Sequence, residues 1–260
     1  MNGGTIGKRN VPGIDGSSGI WSLQEIADAR RLALWPPDPY FSSVVALLHM
    51  DGADASTTFT DVKGHAFTPA GNAQIDTAQS KFGGASGLFD GTGDRITTPA
   101  SADWDFGTGD FTIEFFVRFN VLPPAGENNS YSIVGNYGSS TAGWLVQFRT
   151  DAPGARLTFG SSGDTPLDGF TWSPSAATWY HTAVTRASGT VRAFADGVQI
   201  GSDVTNTEDI SGSTGVLMIG ALNFGPIQHL NGWLDELRIT KGVARYTANF
   251  TPPTFPFVTM

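Results

Sequence analysis

Between Phe111 and Phe119 the segment FTIEFFVRF alternates with a period of two. Phe111, Ile113, Phe115, Val117 and Phe119 point one way, while Thr112, Glu114 and Arg118 point the other. That pattern predicts a strand with one buried and one solvated face, and it makes Glu114 a solvent-facing residue. Further short apolar runs follow from Ser42 onward: SVVALLHM (43–50), GLFD and RITTP on either side of the Gly91-Thr92-Gly93 turn, YSIVGNY, GWLVQFR, ARLTFG, WYHTAVTR, TVRAFADG, GVLMIG and WLDELRIT. About a dozen strands with turns roughly every 8–12 residues predict an all-β sandwich or barrel without crossover helices. Asp196-Gly197, between VRAF and VQIG, predicts a two-residue hairpin turn.

Two segments break this rhythm. In NGWLDELRIT (231–240) a period of two puts Trp233, Asp235, Leu237 and Ile239 on one face, so a carboxylate shares register with three large apolar residues. Left alone on a core face, it would cost several kcal/mol or take up a proton. Asp235 therefore needs backbone donors, an arginine or a cation. At the other end, residues 1–20 are rich in Gly, Asn and Ser and read as a mobile arm. In WSLQEIADARRLALWPP, Ser22 and Glu25 fit a capping box, Trp21 and Ile26 fit a hydrophobic staple, and Pro36-Pro37 stop the chain, which predicts a helix over about 22–34. A helix of about twelve residues is marginal alone in water, so it must dock on its own domain or on a partner. The expected division is an arm with a short helix over 1–40 and a β domain over 41–260.

Composition agrees with a packed β domain. Forty per cent hydrophobic residues, with 18 Phe and 7 Trp, argue against disorder. Only 15% charged residues beside 33 Gly and 15 Pro favour sheet over helix. A formal net charge of −9 disfavours a nucleic-acid partner. The lack of cysteine removes disulfides, thiolate metal sites and a cysteine nucleophile. No window approaches the ~18 apolar residues that span a bilayer, and the first residues lack the apolar core of a signal peptide. Synthesis in the cytoplasm without membrane insertion is the expectation.

Catalytic patterns are missing. A glycosidase needs two carboxylates about 5–10 Å apart, yet Asp235 and Glu236 fall on opposite faces and Glu114 stands alone. His49, His65, His181 and His229 are scattered without a His-Glu-x-x-His pattern, Gly-x-Ser-x-Gly is absent, and FDGTGDR lacks the Gly-Lys-Ser/Thr of a phosphate loop. The expectation is a non-enzymatic protein with no catalytic residues.

Three segments carry a resemblance. FDGTGDRITTPASADWDFGTGDFTIEFFVRF (89–119), TWYHTAVTRASGTVRAFADGVQIG (178–201) and LDELRITKGVARYTANFTPPTFPF (234–257) resemble the laminin-G-like branch of the concanavalin A-like lectin/glucanase superfamily, over roughly residues 40–256. The resemblance implies a two-sheet antiparallel jelly roll whose first and last strands lie together, placing VALLHMDG near WLDELRI. It also implies a structural calcium near the sheet edge, held by an acid on the final strand and oxygens after the first; the matching residues are Asp235 and Asp51. The alternative is that Asp235 ends its strand on loop amides and that Asp51 is a turn residue in MDGAD. His181, in WYHTAV, matches a structural strand of that family and reads as a framework histidine. The Glu-x-Asp-x-x-Glu triplet of its hydrolase branch is absent here.

DELRITKGVARYTANFTPP looks like copies of this domain in bacteriophage virion proteins, and GGTIGKRNVPG…SGIWSLQEIADARRLALWP is similar to N-terminal segments of phage tail and other virion proteins. This implies a virion structural protein, a decoration or tail component made in the host cytoplasm. Trp21, Leu23, Ile26, Arg30 and Trp35 would anchor it to other virion proteins, and a homo-oligomer is expected. The alternative is an adhesion module that contacts a host-surface glycan through loops 122–131, 161–172 and 222–231. There Tyr131, Phe170, Trp172 and Phe224 would either stack on sugar rings or pack in the core.

Overall fold

The computed structural model describes residues 37–125, 130–137, 143–151, 153–161, 166–211, 215–222 and 229–259. The expected anchor residues and their helix, together with Phe224, lie outside these. In chain order the strands are β1 (Val44–Leu48), β2 (Thr68–Ala70), β3 (Gln74–Asp76), β4 (Ser86–Asp90), β5 (Arg95–Thr98), β6 (Phe111–Phe119), β7 (Ser130–Gly135), β8 (Trp144–Arg149), β9 (Arg156–Ser161), β10 (Pro166–Thr171), β11 (Trp179–Ala187), β12 (Thr190–Ala195), β13 (Val198–Thr205), β14 (Leu217–Ile219) and β15 (Asn231–Lys241). They form two antiparallel sheets, ordered β13-β12-β11-β6-β15-β4-β3 and β10-β9-β8-β7-β14-β5-β2, with β1 also paired to β15. This is the expected sandwich. Leu48 pairs with Leu237, so the first and last strands do lie together. Segment 161–172, expected as a loop, instead carries β10, whose edge position hides it from a periodicity reading. β2 and β3 are only three residues each and show no alternation.

The predicted alternation of β6 holds on the inner side. Phe111, Ile113, Phe115, Val117 and Phe119 enter the core with Val146 and Phe148 of β8 and Leu157 and Phe159 of β9. Ring pairs Phe111–Phe159 and Phe119–Phe148, with centroids 5.1 and 5.0 Å apart, join the two sheets. The Asp196-Gly197 hairpin forms with both residues at positive φ (47° and 75°), as a type I′ turn requires.

Two expectations about faces need correction. Between Asp235 and Arg238 the register of β15 against β6 shifts, and Glu236 takes φ +52°. This bulge adds a residue and changes the phase of the strand. Leu234, Leu237 and Ile239 reach the core, whereas Trp233 and Asp235 fall on the outer face of the larger sheet. That outer face is itself covered. A second apolar cluster of Val44, Leu47, Phe116 and Phe257, with Phe41, Phe82 and Trp179 against it, lies there beneath the two ends of the domain. Glu114 is consequently 0% exposed rather than solvent-facing.

Candidate functional site

Asp235, also 0% exposed, is reached by the loop after β3. Its Oδ2 accepts hydrogen bonds from the amides of Lys81 (2.7 Å) and Phe82 (3.0 Å). Its Oδ1 has no hydrogen-bond partner. Burial pushes this carboxyl up to about 8 against those two amides, and the neighbouring charges of Glu236 and Asp51 push the same way. Asp51 follows β1 at the surface, and a Cβ on Gly83 (φ +61°) would collide with its carboxylate. Glu236 is already engaged: Oε1 lies 2.8 Å from His49 Nδ1, and Oε2 accepts the Phe257 amide at 2.8 Å.

An orphaned buried carboxylate oxygen beside a second acid fits the acidic share of a hard-cation site, whose remaining ligands are backbone carbonyls and water. Among the described residues no group of three or more His, Asp or Glu side chains gathers in metal-ligand geometry. Any cation here would therefore depend on those backbone and water oxygens.

Glu114 belongs to a different assembly on the same face. Arg238 donates to its Oε1 from Nε (2.9 Å), and Tyr246 donates to its Oε2 (2.8 Å), with His181 Nε2 at 3.2 Å. Asp38 ties Arg238 and Arg245 together at 3.1 and 2.7 Å. Arg238 lies 3.8 Å over the Phe257 ring. Burial opposes the charge of Glu114, but Arg238, His181 and Arg245 outweigh it and hold the carboxyl at about 2. A carboxyl held this low carries no proton to donate at neutral pH, so it is no general acid. His181 occupies the framework position expected of it.

The expected sugar-stacking aromatics are placed otherwise. Tyr131, Phe170 and Trp172 lie in the core cluster, with Trp172 packed edge-on against Phe148 and Tyr180. Their ring faces are taken by neighbouring side chains because strands, not loops, carry Tyr131 and Phe170. An accessible aromatic appears instead on the outer face of the larger sheet. Gln74, Leu88, Trp233, Arg118 and Trp179 stand opposite one another across β3, β4, β15, β6 and β11, all half-buried. Trp233 donates its Nε1 to Asp76 Oδ2 (2.6 Å) and carries Arg118 5.2 Å above its ring.

Gln74 and Leu88 also line a cleft of about 640 Å³ with Thr57, Asn72, Asp90 and Asp94. The buried Asp94 shapes its floor by accepting the amides of Asn72 and Asp90. A sequence reading missed this row because it placed Trp233 in the core. Apolar residues at 234, 237 and 239, spaced by three and then two, are the signal of the bulge that turns Trp233 outward.

The sequence profile of the concanavalin A-like lectin/glucanases superfamily matches residues 90–245. Among solved structures, domain 4 of AbnA, an extracellular arabinanase of Geobacillus stearothermophilus seen in complex with arabinotriose, is similar at 20% identity and TM-score 0.59, covering 78% of this chain and 94% of that one. The binding domain of Paraclostridial Mosquitocidal Protein 1 is similar at 16% identity and TM-score 0.58, covering 78% of this chain and 50% of that one. A structure of botulinum neurotoxin type C, whose cell entry depends on two ganglioside molecules, is similar at 15% identity and TM-score 0.54, covering 78% and 49%. The chain thus spans about half the length of the two toxin structures. A comparison with curated proteins found no match.

Proposed function

The chain belongs to the concanavalin A-like lectin/glucanase superfamily, and from that premise we propose that it is a non-catalytic glycan-binding module. The observation that carries this reading is the continuity of the cleft with the Trp233 row through Gln74 and Leu88. A sugar site needs an aromatic ring for the C–H face of a pyranose or furanose and polar groups for its hydroxyls. Trp233 supplies the first. Thr57, Asn72, Gln74 and Asp90 supply the second. The bound arabinotriose of the arabinanase domain and the ganglioside dependence of the neurotoxin support the reading by likeness of fold.

The test is a glycan array that includes arabinotriose and ganglioside oligosaccharides, probed with the full chain and with Trp233→Ala. Retention of at least one glycan by the wild type, lost in the variant, is expected. An array that stays blank for the wild type ends the proposal.

Two finer readings accompany it. Asp235 Oδ1 and the Asp51 carboxylate would hold a structural calcium, which would supply the positive charge that Asp235 otherwise lacks. Attachment to a bacteriophage particle through residues 1–36 rests on the resemblance of that segment and of 235–253 to virion proteins. Truncation of residues 1–36 should leave the β domain folded and abolish its incorporation into particles. Incorporation that survives the truncation would refute the attachment.

A further inference from the structure

Arg118 stands between the two tryptophans of the row on the outer face of the larger sheet, with Trp233 paired to it from β15 and Trp179 from β11. Strands lie about 4.8 Å apart, so the backbones of the two tryptophans flank that of Arg118 at roughly one strand spacing on each side, with Trp179 packed against the second apolar cluster. The guanidinium sits over Trp233, and Asp76 fixes that ring through its Nε1. Asp76, on the same face of β3 as Gln74, is itself buried and accepts the Ala78 amide as well (3.1 Å). The Arg118 guanidinium makes no hydrogen bond or ion pair with any described residue.

One step along the same face of β6, the Lys81 ammonium lies 5.3 Å over the Phe116 ring and likewise pairs with no carboxylate among the described residues. In a chain of net charge −9, two neighbouring cations left without acids are a specific arrangement. The other arginines of this face, Arg238 and Arg245, are both paired.

We infer that this row recognises a glycan bearing a carboxylate, an inference that rests on the glycan-binding reading above. The sugar carboxylate takes the forked N–H edge of Arg118, which is pre-oriented by Trp233 and so loses little freedom on pairing. The Trp233 indole gives an apolar wall to the ring, and Lys81 adds a salt-screened attraction. A uronate and a sialic acid share this chemistry.

The experiment measures binding of the full chain to three matched sets of oligosaccharides: uronate-containing, sialylated, and the same acidic chains with the carboxylate reduced to an alcohol. Either acidic set is expected to bind, with a loss of about tenfold or more on carboxylate reduction and on Arg118→Gln, and a partial recovery with Arg118→Lys. Lys81→Gln should weaken binding about twofold and only at low salt. The set retained identifies the source of the carboxylate.

If the reduced sugars bind as well as the acidic ones, or if Arg118→Gln leaves affinity unchanged while Trp233→Ala removes it, the acidic class is overturned and glycan binding stands. If no set binds, the acidic class is overturned, and the glycan-binding reading is decided by the array described above, which includes neutral glycans such as arabinotriose. The carboxylate-reduced ligands keep the test independent of whether a variant folds.

Discussion

Glu114 and Asp235 lie on one face of one sheet, on paired strands, and neither is exposed to water. Their carboxyls nevertheless move in opposite directions, Glu114 to about 2 and Asp235 to about 8. Burial opposes the charge in both. The difference is what surrounds them: Glu114 meets Arg238, His181, Arg245 and a tyrosine hydroxyl, whereas Asp235 meets two backbone amides and two further acids. Desolvation sets the demand for compensation, and the identity of the partner decides whether the charge survives. A region already neutralised by arginines is structural. A region short of positive charge is where a cation would bind.

The largest expected effect comes from Glu114→Gln. The carboxyl ordinarily titrates near 4.5 and is held at about 2 in the folded chain. A lowered value means stability that is present above 4.5 and lost as pH falls toward 2. That shift corresponds to about 3 kcal/mol. Urea unfolding at pH 7 should therefore show the variant weaker by about 3 kcal/mol, with the gap closing between roughly pH 5 and pH 2. A gap that persists unchanged at pH 2 would mean that the charge of Glu114 contributes nothing and that packing explains the loss.

The second effect separates the two regions directly. Calcium should raise the melting temperature and chelator should lower it, a stability difference on the order of 2 kcal/mol when calcium exceeds its Kd some tens of fold. Asp235→Asn keeps an acceptor for the Lys81 and Phe82 amides but should abolish the difference between calcium and chelator. Glu114→Gln should preserve that difference. Identical melting curves with and without chelator in the wild type would remove the cation and leave Asp235 as an uncompensated strand residue.

Much of this arrangement was legible locally. FTIEFFVRF gives its inner face directly, because five alternating apolar side chains leave no other choice of strand, and Asp196-Gly197 gives its turn through two positive φ angles. The burial of Glu114 was not legible: the residues that cover it, Tyr246 and the segment up to Phe257, come more than 130 positions later. Local alternation shows which side of a strand a residue takes, not what folds over that side. Asp235 was recognised as anomalous, but for the wrong face, since one bulge residue at Glu236 reverses every side chain that precedes it. The same bulge hid the Trp233 row, and with it the accessible aromatic that segments 122–131, 161–172 and 222–231 had been expected to supply.

The smallest effect tests whether charge or hydrogen bonding sustains the Glu114 assembly. The Tyr246 hydroxyl donates to Glu114 Oε2 at 2.8 Å, and both burial and the Glu114 charge raise its own titration well above the usual tyrosine range. Tyr246→Phe removes that donor without changing any formal charge and keeps the ring stacked on Phe250 at 3.6 Å. With Arg238 still in place, the loss should be about 1 kcal/mol, the ordinary net contribution of one hydrogen bond. The acid limb of the stability profile should move up in pH only slightly. A loss as large as that of Glu114→Gln would reverse the argument, because the carboxylate would then owe its low titration to the hydroxyl, and the arginines that distinguish it from Asp235 would be incidental.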